Sequence, residues 1–242
     1  MLINLRNALM AGKRKPTAKD YVQSGLVAMW DGIENAGWGT HNSAATTWKD
    51  LIGNRDWTLG TSTSYEWTAN SFDAKDQFAA TQDFIGGNII QTVEVCASIK
   101  SQESAPLGNY AFIMLGRDEA AFGAYYGLLY RNPYTQVFAL MCEKSYFTNT
   151  YTEFMGRCAS FSFPNFHTAN VDAFFNGITR TASASNTLDY NETTRGTLAR
   201  IGGTAQQSMP IEVYNIRLYS RALTAAEIAH NYAIDKARFN LP

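Results

Sequence analysis

The sequence has few of the residues that build disulfide frameworks, metal centres or membrane spans. Its 242 residues include only 3 cysteines, Cys96, Cys142 and Cys158, each inside a strand-like run. An odd number of cysteines without paired spacing indicates buried thiols and excludes a disulfide framework. A single disulfide with one free cysteine remains an alternative. No apolar run approaches the roughly 18 residues that a bilayer span needs, so no membrane partner is predicted.

An excess of charge of one sign is also missing. The chain has 20 Lys and Arg against 21 Asp and Glu, a net charge of -1, so no nucleic-acid partner is predicted. The apolar residues of the N-terminal segment 1–15 are interrupted by Asn and Arg, and its basic cluster follows them instead of leading, unlike a secretory signal. We therefore expect synthesis in the cytoplasm, with a virion or a prophage assembly as a destination.

The motifs of hydrolytic enzymes are missing too. There is no Gly-x-Ser-x-Gly elbow for a serine nucleophile. There is also no Glu-x-Asp-x-x-Glu strand, whose alternate spacing would put two carboxylates on one face as nucleophile and acid. The nearest acidic groups, Asp118-Glu119 and Asp31-x-x-Glu34, lack that geometry. The sequence predicts that the chain is not an enzyme.

The clearest local signals lie near the C-terminus. Residues 210–219 are rich in β-branched and aromatic side chains, which indicates a strand. Thr224 and Glu227 then have the spacing of a helical capping box, and Leu223 and Ile228 that of a hydrophobic staple. These signals predict a strand that leads directly into a strongly capped short helix.

Between Leu26 and Tyr219 the sequence alternates between strand-like runs and turn signals. In residues 89–99 the alternation turns Val93 and Val95 towards a core and Glu94 outwards. The hydrophobic phase changes within the last strand, which calls for a β-bulge near residues 214–215 or burial on both faces. About a dozen strands with helix only at the two ends predict an all-β, two-sheet antiparallel β-sandwich of jelly-roll type.

Five segments also resemble one family. Residues 216–228, Ile-Arg-Leu-Tyr-Ser-Arg-Ala-Leu-Thr-Ala-Ala-Glu-Ile, resemble the closing strand and helix of laminin-G-like domains of the concanavalin A-like lectin/glucanase superfamily. The others are 25–31, 48–56 (with Ile52 in place of the usual Ser), 171–177 and 199–202. The resemblance implies a concanavalin A-like jelly roll with a short N-terminal and a short C-terminal helix. This fold hosts both enzymes and binding modules.

We divide the chain into a helical leader, 1–24, and a sandwich domain, 25–242. Leu2, Leu5 and Leu9 share one helical stripe. The leader either docks on its own sandwich or, through residues 1–15, on further copies or an appendage partner. Chains of this layout resemble phage or prophage appendage proteins and surface proteins of gut bacteria.

Glycan binding needs exposed aromatic rings beside amides or charged groups, because a ring packs on the apolar face of a sugar and polar groups bind its hydroxyls. Aromatic residues in loops matter most. Three such clusters are candidate ligand-binding residues, each with the alternative of a ring that plugs its loop onto the sandwich: Trp38, His41 and Asn42; Tyr130 and Tyr134; Tyr146, Asn149 and Tyr151.

No cofactor is predicted. Calcium is kept as an alternative because relatives of the resembled family hold it on loop carboxylates, and calcium takes six to eight oxygen ligands. The weak candidates are Asp31, Glu34 and Asp50, or Asp189 and Glu192. An Asx-turn at Asp50 is the favoured alternative, so we predict no metal.

The sequence thus predicts a non-catalytic carbohydrate-binding, lectin-like module of a phage, prophage or bacterial surface assembly, with a glycan or polysaccharide as partner. A purely structural sandwich without a glycan ligand is the alternative. A glycoside hydrolase is the least favoured of the three.

Overall fold

The computed structural model describes residues 14–75, 80–83, 90–99, 108–117, 126–132, 137–142, 145–150, 158–164, 173–180, 198–201, 203–204, 207–208 and 211–241. A single 3-10 turn, Ala18–Asp20, precedes the first strand. The strands are β1 (Leu26–Asp31), β2 (Thr47–Trp48), β3 (Trp57–Leu59), β4 (Tyr65–Trp67), β5 (Phe72–Ala74), β6 (Ala80–Asp83), β7 (Thr92–Ile99), β8 (Gly108–Arg117), β9 (Tyr126–Asn132), β10 (Val137–Cys142), β11 (Ser145–Thr150), β12 (Cys158–Pro164), β13 (Ala173–Phe175), β14 (Ile178–Arg180), β15 (Leu198–Ile201), β16 (Gly203–Thr204), β17 (Gln207–Ser208) and β18 (Ile211–Tyr219). One helix, α1 (Ala225–Phe239), follows them. The expected helix in residues 2–11 lies outside the described residues.

The strands form two eight-stranded sheets and a small ribbon. Sheet A has the order β14-β13-β12-β7-β18-β5-β4, with β1 also paired to β18, and sheet B has the order β11-β10-β9-β8-β15-β6-β3-β2. The pairing of the described strands is antiparallel throughout, including the β16–β17 ribbon. The all-β, two-sheet antiparallel prediction is confirmed.

The core between the sheets is rich in tryptophan. Trp30 and Trp67 come from sheet A, and Trp48 and Trp57 from sheet B, and all four are buried. Trp30 meets Trp57 edge to face at 5.7 Å between ring centroids, and Trp48 meets Trp67 at 5.4 Å. Such pairs add about 0.5–1.5 kcal/mol each beyond the area they bury.

Strand β18 is an interior strand of sheet A, paired with β7, β5 and β1, and contains a bulge at the expected place. Its register against β7 shifts between Val213 and Asn215, so Tyr214 is the extra residue. Val213 and Ile216 therefore both reach the core between the sheets. Asn215 is left on the opposite face, and the change of hydrophobic phase seen in the sequence is accounted for.

Helix α1 covers the outer face of sheet A. The capping box of Thr224 and Glu227 is present as expected, and Leu223 packs with Ile228 in one buried cluster. The helix has 15 residues and ends at Phe239. Because it covers β7, the expectation that Glu94 faces solvent is wrong: Glu94 is fully buried. In the part of the chain that the structure describes, no helix has the length and apolarity to cross a bilayer.

Candidate functional site

The segment 32–46, here called the Trp38 loop, connects β1 of sheet A to β2 of sheet B. Hydrogen bonds across it join Gly37 N to the Glu34 carbonyl (3.2 Å) and Thr40 N to the Gly37 carbonyl (2.9 Å). The Lys49 amide also donates to the Asn35 carbonyl at 2.9 Å, where the loop returns to the sheet. The loop is long and irregular, but its backbone is held by its own polar groups.

Trp38 lies at the tip of this loop and is exposed. It keeps 39% of its surface accessible, while the other four of the 5 tryptophans keep 6% or less. Exposing an indole ring forfeits the burial that stabilises its four counterparts. Trp38 is therefore not a plug that holds the loop onto the sandwich.

Two glycines and one buried acid shape the turn around Trp38. Gly37 and Gly39 have positive φ angles of 123° and 69°, which residues with a Cβ adopt only with strain. Glu34 is 7% exposed, and its carboxylate accepts a hydrogen bond from Gly39 N at 2.8 Å. Trp38 is thus presented on a backbone that is fixed before any ligand arrives.

His41 and Asn42 follow on the same loop and are exposed. His41 Nδ1 lies 3.1 Å from the Gly32 carbonyl, so Nδ1 carries the hydrogen and Nε2 points away from this contact. Asn42 and Asn35 are joined by Asn42 N to Asn35 Oδ1 (2.8 Å) and Asn35 Nδ2 to the Asn42 carbonyl (2.9 Å). These bonds use main-chain groups of Asn42 and hold it at the base of the turn.

Lys19 belongs to this surface and was missed by the sequence analysis. It comes from the 3-10 turn before β1, and its Nζ lies 5.2 Å from the centroid of the Trp38 ring. An exposed cation–π contact of this kind is worth about 0.5–1 kcal/mol. No local pattern relates the two residues, because they meet only after the chain has folded.

The base of the loop connects to a buried charged layer between α1 and sheet A. Arg238 Nη2 donates to Asp31 Oδ1 at 2.9 Å and approaches Glu34 Oε1 at 3.5 Å. Arg238 Nη1 lies 2.8 Å from Asp31 Oδ2, an ion pair without hydrogen-bond geometry. The amide of Ala18 also donates to Glu34 Oε1, at 3.3 Å. Glu34 thus joins the loop tip, the segment with Lys19 and helix α1.

Arg217 occupies the centre of the layer and is fully buried. Its Nε donates to Glu94 Oε2 at 2.9 Å, and its Nη1 and Nη2 donate to the two oxygens of Asp235 at 2.7 and 2.9 Å. Asp235 accepts further hydrogen bonds from Tyr21, Asn215 and Ser160, and Glu94 accepts them from Ser162 and Asn231. Buried charges are tolerated when they are paired in this way.

Two of the acids in contact with these arginines, Asp31 and Asp235, have pKa values that shift in opposite directions. Burial raises the pKa of Asp31 above its ordinary value, and the nearby Arg238 opposes that rise without cancelling it. Burial would also raise the pKa of Asp235, but the charge of Arg217 and hydrogen bonds from Arg217, Asn215 and Tyr21 lower it overall. Asp235 is therefore the better-stabilised carboxylate.

The sequence did contain a signal for this layer. Polar residues alternate along β7, β12 and β18 on the face away from the core, and α1 has Asn231, Asp235 and Arg238 at spacings of four and three. Such a stripe is equally typical of a solvent-facing surface. The pattern alone could not indicate that a helix covers the sheet.

The other candidate ligand-binding residues are not on loops where the structure describes them. Tyr130 lies in β9, and Tyr146 and Asn149 lie in β11, paired with β10. The expectation of a turn and a polar loop there is corrected, because these polar and aromatic runs alternate and pair as strands. Tyr134 and Tyr151 lie outside the described residues.

Strand β11 and the Trp38 loop are also far apart in sheet B. The loop enters the sheet at its β2 edge, and β11 forms the opposite edge. Seven strand spacings of about 4.8 Å separate the two edges by roughly 30 Å. The structure thus brings Trp38, His41 and Asn42 together with Lys19, and it does not bring the β11 residues to them.

The candidate calcium ligands already interact with groups of the protein. Asp31 and Glu34 contact Arg238, whose positive charge offsets part of the negative charge that would attract a metal ion. Asp50 accepts hydrogen bonds from the amides of Met29 and Ile52, the second of which closes the expected Asx-turn. Among the described side chains, no group of three or more His, Cys, Asp or Glu is arranged to hold a metal. These residues do not fit a calcium site, and Asp189 and Glu192 lie outside the described residues.

Comparison with solved structures finds similar folds at low sequence identity. Trypanosoma rangeli sialidase matches with a TM-score of 0.65 and 17% identity, over 93% of this chain and 34% of the sialidase. The same enzyme in complex with sialic acid gives 0.64 and 16%. The binding domain of botulinum neurotoxin serotype D gives 0.61 and 13%, over 86% of this chain and 51% of that one. No family model and no curated protein match the sequence.

The chain spans about a third of the sialidases that it matches. These matches contradict the prediction that the chain is not an enzyme, because sialidases are glycosidases. That prediction relied on a missing pair of carboxylates. Glycosidases that use a tyrosine nucleophile do not need that pair.

Proposed function

We propose that the chain is a carbohydrate-binding β-sandwich whose ligand contacts Trp38, with His41, Asn42 and Lys19 around it. The observation that supports this most directly is the exposure of Trp38 on a loop whose backbone is already ordered by Glu34. A rigid, exposed indole beside polar groups suits the apolar face and the hydroxyls of a sugar. Preorganisation also lowers the entropic cost of binding.

The structural matches support a glycan ligand in general terms. One matched structure is a sialidase in complex with sialic acid, and another is the binding domain of a neurotoxin. The motif resemblance to laminin-G-like, lectin-related domains points to the same class of ligand, and membership of that family is part of the proposal.

A glycan array probed with the full chain, followed by titration calorimetry on the best ligand, tests the proposal. We expect Trp38→Ala to weaken binding about tenfold, since an aromatic contact is worth roughly 1 kcal/mol or more. Ile178→Ala is the matched control, because Ile178 is a large apolar residue with 61% exposure on the β13–β14 hairpin. Its affinity should equal that of the wild type.

Two results would reject this function. If no bacterial or host glycan binds, the structural sandwich without a glycan ligand becomes the better explanation. If a glycan binds but Trp38→Ala and Ile178→Ala behave alike, the contact surface lies elsewhere on the chain.

A second candidate function is hydrolysis of a sialoside, which the matches to sialidases favour. The full chain should then release the fluorophore from a fluorogenic sialoside, with free sialic acid as the other product. A rate equal to that of the buffer alone would reject this candidate and leave the binding proposal untouched.

The assembly role stays a separate part of the proposal. It holds that residues 1–15 pair with further copies or an appendage partner of a phage, prophage or bacterial surface structure. Light scattering should then give an oligomer for the full chain and a monomer for Leu5→Asp, which interrupts the leucine stripe. A monomer for both would reject self-association through this segment.

A further inference from the structure

The backbone of Lys19, the lysine beside Trp38, is held in place by the residues next to it in the chain. Ala18, the preceding residue, is fully buried, and its amide is bonded to Glu34. Asp20, the following residue, closes a capping box on Thr17 and pairs with Arg14. The backbone of Lys19 is therefore held on both sides, which places its side chain beside the Trp38 ring.

Within the described residues, the Lys19 ammonium is not part of an ion pair. Arg14 engages Asp20 with both of its terminal nitrogens. Glu34, whose carboxylate binds the amide next to Lys19, directs its oxygens to Gly39 N, Ala18 N and Arg238. Asp20 and Glu34 are thus engaged elsewhere, and within the described residues a positive charge remains beside the exposed indole.

Within the described residues, the side-chain groups around Trp38 that have no protein partner include three donors and one acceptor. The donors are the Trp38 indole N–H, the Asn42 side-chain NH₂ and the Lys19 ammonium, and the acceptor is His41 Nε2. The Asn42 side-chain oxygen already accepts from Ala44 N at 2.9 Å. Neutral sugars present hydroxyls that both donate and accept, so a surface for them usually offers carboxylate or amide oxygens as well. A surface dominated by donors and a cation matches a ligand rich in acceptors.

We propose that the ligand of this surface is an acidic glycan, whose carboxylate binds the Lys19 ammonium while the sugar packs against Trp38. This inference rests on the proposed function and adds the chemical class of the sugar. A sialic acid and a uronic acid share the required carboxylate. Charge-assisted hydrogen bonds to a carboxylate are stronger than those to a hydroxyl, so the charge should decide the preference.

Titration calorimetry of the full chain with 3′-sialyllactose, trigalacturonate and lactose tests the inference. We expect at least one acidic probe to bind about tenfold more tightly than lactose, with an affinity that falls as salt rises. Lys19→Met should lower the affinity for the acidic probe to that for lactose, because it keeps the aliphatic stem and removes the charge. If only 3′-sialyllactose binds, the carboxylate is that of a sialic acid. If only trigalacturonate binds, it is that of a uronic acid, and if both bind, the surface accepts either.

Lys75→Met is the matched control. Lys75 is also exposed and pairs with Glu66, so the variant removes the same net charge at a different place. An equal loss of acidic binding in Lys75→Met and Lys19→Met overturns the assignment to Lys19. Equal affinities for 3′-sialyllactose and lactose, both dependent on Trp38, overturn the inference but retain the proposed function. If the chain binds neither these probes nor any glycan on the array, the inference and the proposed function are both rejected.

Discussion

The buried charged layer and the Trp38 loop contain similar residues in opposite environments. In the layer, Arg217 and its two acids are fully buried and every charge has a partner. At the loop, Trp38 and Lys19 are exposed and contact each other. Glu34 belongs to both regions, since it contacts Arg238 on one side and Gly39 on the other.

The difference indicates how the molecule separates stability from recognition. A buried ion network has strict geometric requirements, because an unpaired charge there costs several kcal/mol. It therefore fixes the position of α1 and of the loop base. The exposed groups are free of that constraint and can contact a ligand, and they lie on a backbone that the buried network holds in place. Three variants test this separation, and a fourth tests the cap of the helix that covers the layer.

Arg217→Met should have the largest effect. The side chain is replaced by one of similar length, but Glu94 and Asp235 are left as unpaired buried acids, so we expect a loss of about 3–5 kcal/mol in the free energy of unfolding, measured by urea denaturation. The control adds Glu94→Gln and Asp235→Asn to the same chain, which removes both charges and should recover part of the loss. A loss below about 1 kcal/mol for the single variant would mean that the layer does not stabilise the fold.

Glu34→Gln should affect both regions, at intermediate cost. The new amide has one acceptor, so its NH₂ must face either Gly39 N or the Ala18 and Arg238 donors, a mismatch worth about 1–3 kcal/mol. We expect faster hydrogen exchange at the Gly39 amide. Glu66→Gln, an exposed carboxylate change elsewhere, is the control. Unchanged protection at Gly39 would show that Glu34 does not hold the loop.

Acid should weaken the cap of α1 in a defined range of pH. Hydrogen bonds from the Arg221 side chain and the Thr224 amide lower the pKa of Glu227 to about 2 from a usual 4.5. A lowered pKa means that Glu227 stabilises the fold fully above its unfolded pKa and loses this contribution as the pH falls towards 2. The difference in unfolding free energy between wild type and Glu227→Gln should be about 1 kcal/mol near neutral pH. A difference that does not shrink with acid would contradict the assignment.

Trp38→Ala should have the smallest effect on stability. The ring is exposed, so the loss should stay within about 1 kcal/mol, mostly from the contact with Lys19. Trp48→Ala provides the contrast, because removal of a buried tryptophan costs about 3–5 kcal/mol. Thermal unfolding of both variants measures the difference. A loss for Trp38→Ala as large as that for Trp48→Ala would mean that Trp38 is structural, and the separation of the two regions would fail.

Local patterns were sufficient for several elements of the fold. The capping box at Thr224 and the bulge at Tyr214 depend on neighbouring residues, and both were found. Strand β11 was missed because its polar residues look like those of a loop when its pairing partner is unknown.

The candidate site could be predicted only in part. Trp38, His41 and Asn42 were identified because a long glycine-containing segment with an aromatic residue is atypical of a simple connection. Lys19 and the role of Glu34 were not, since both depend on contacts between segments that are distant along the chain.

By itself the sequence determined the all-β class, the capped terminal helix and the position of the exposed loop, because periodicity, caps and turn residues act over a few neighbouring positions. Only the tertiary structure decided which polar faces are buried and which are exposed to solvent. Alternation along a strand indicates that two faces differ, but whether water or a helix covers the polar face depends on where the rest of the chain packs. Glu94 and Lys19, two charged residues of one chain, differ for that reason alone.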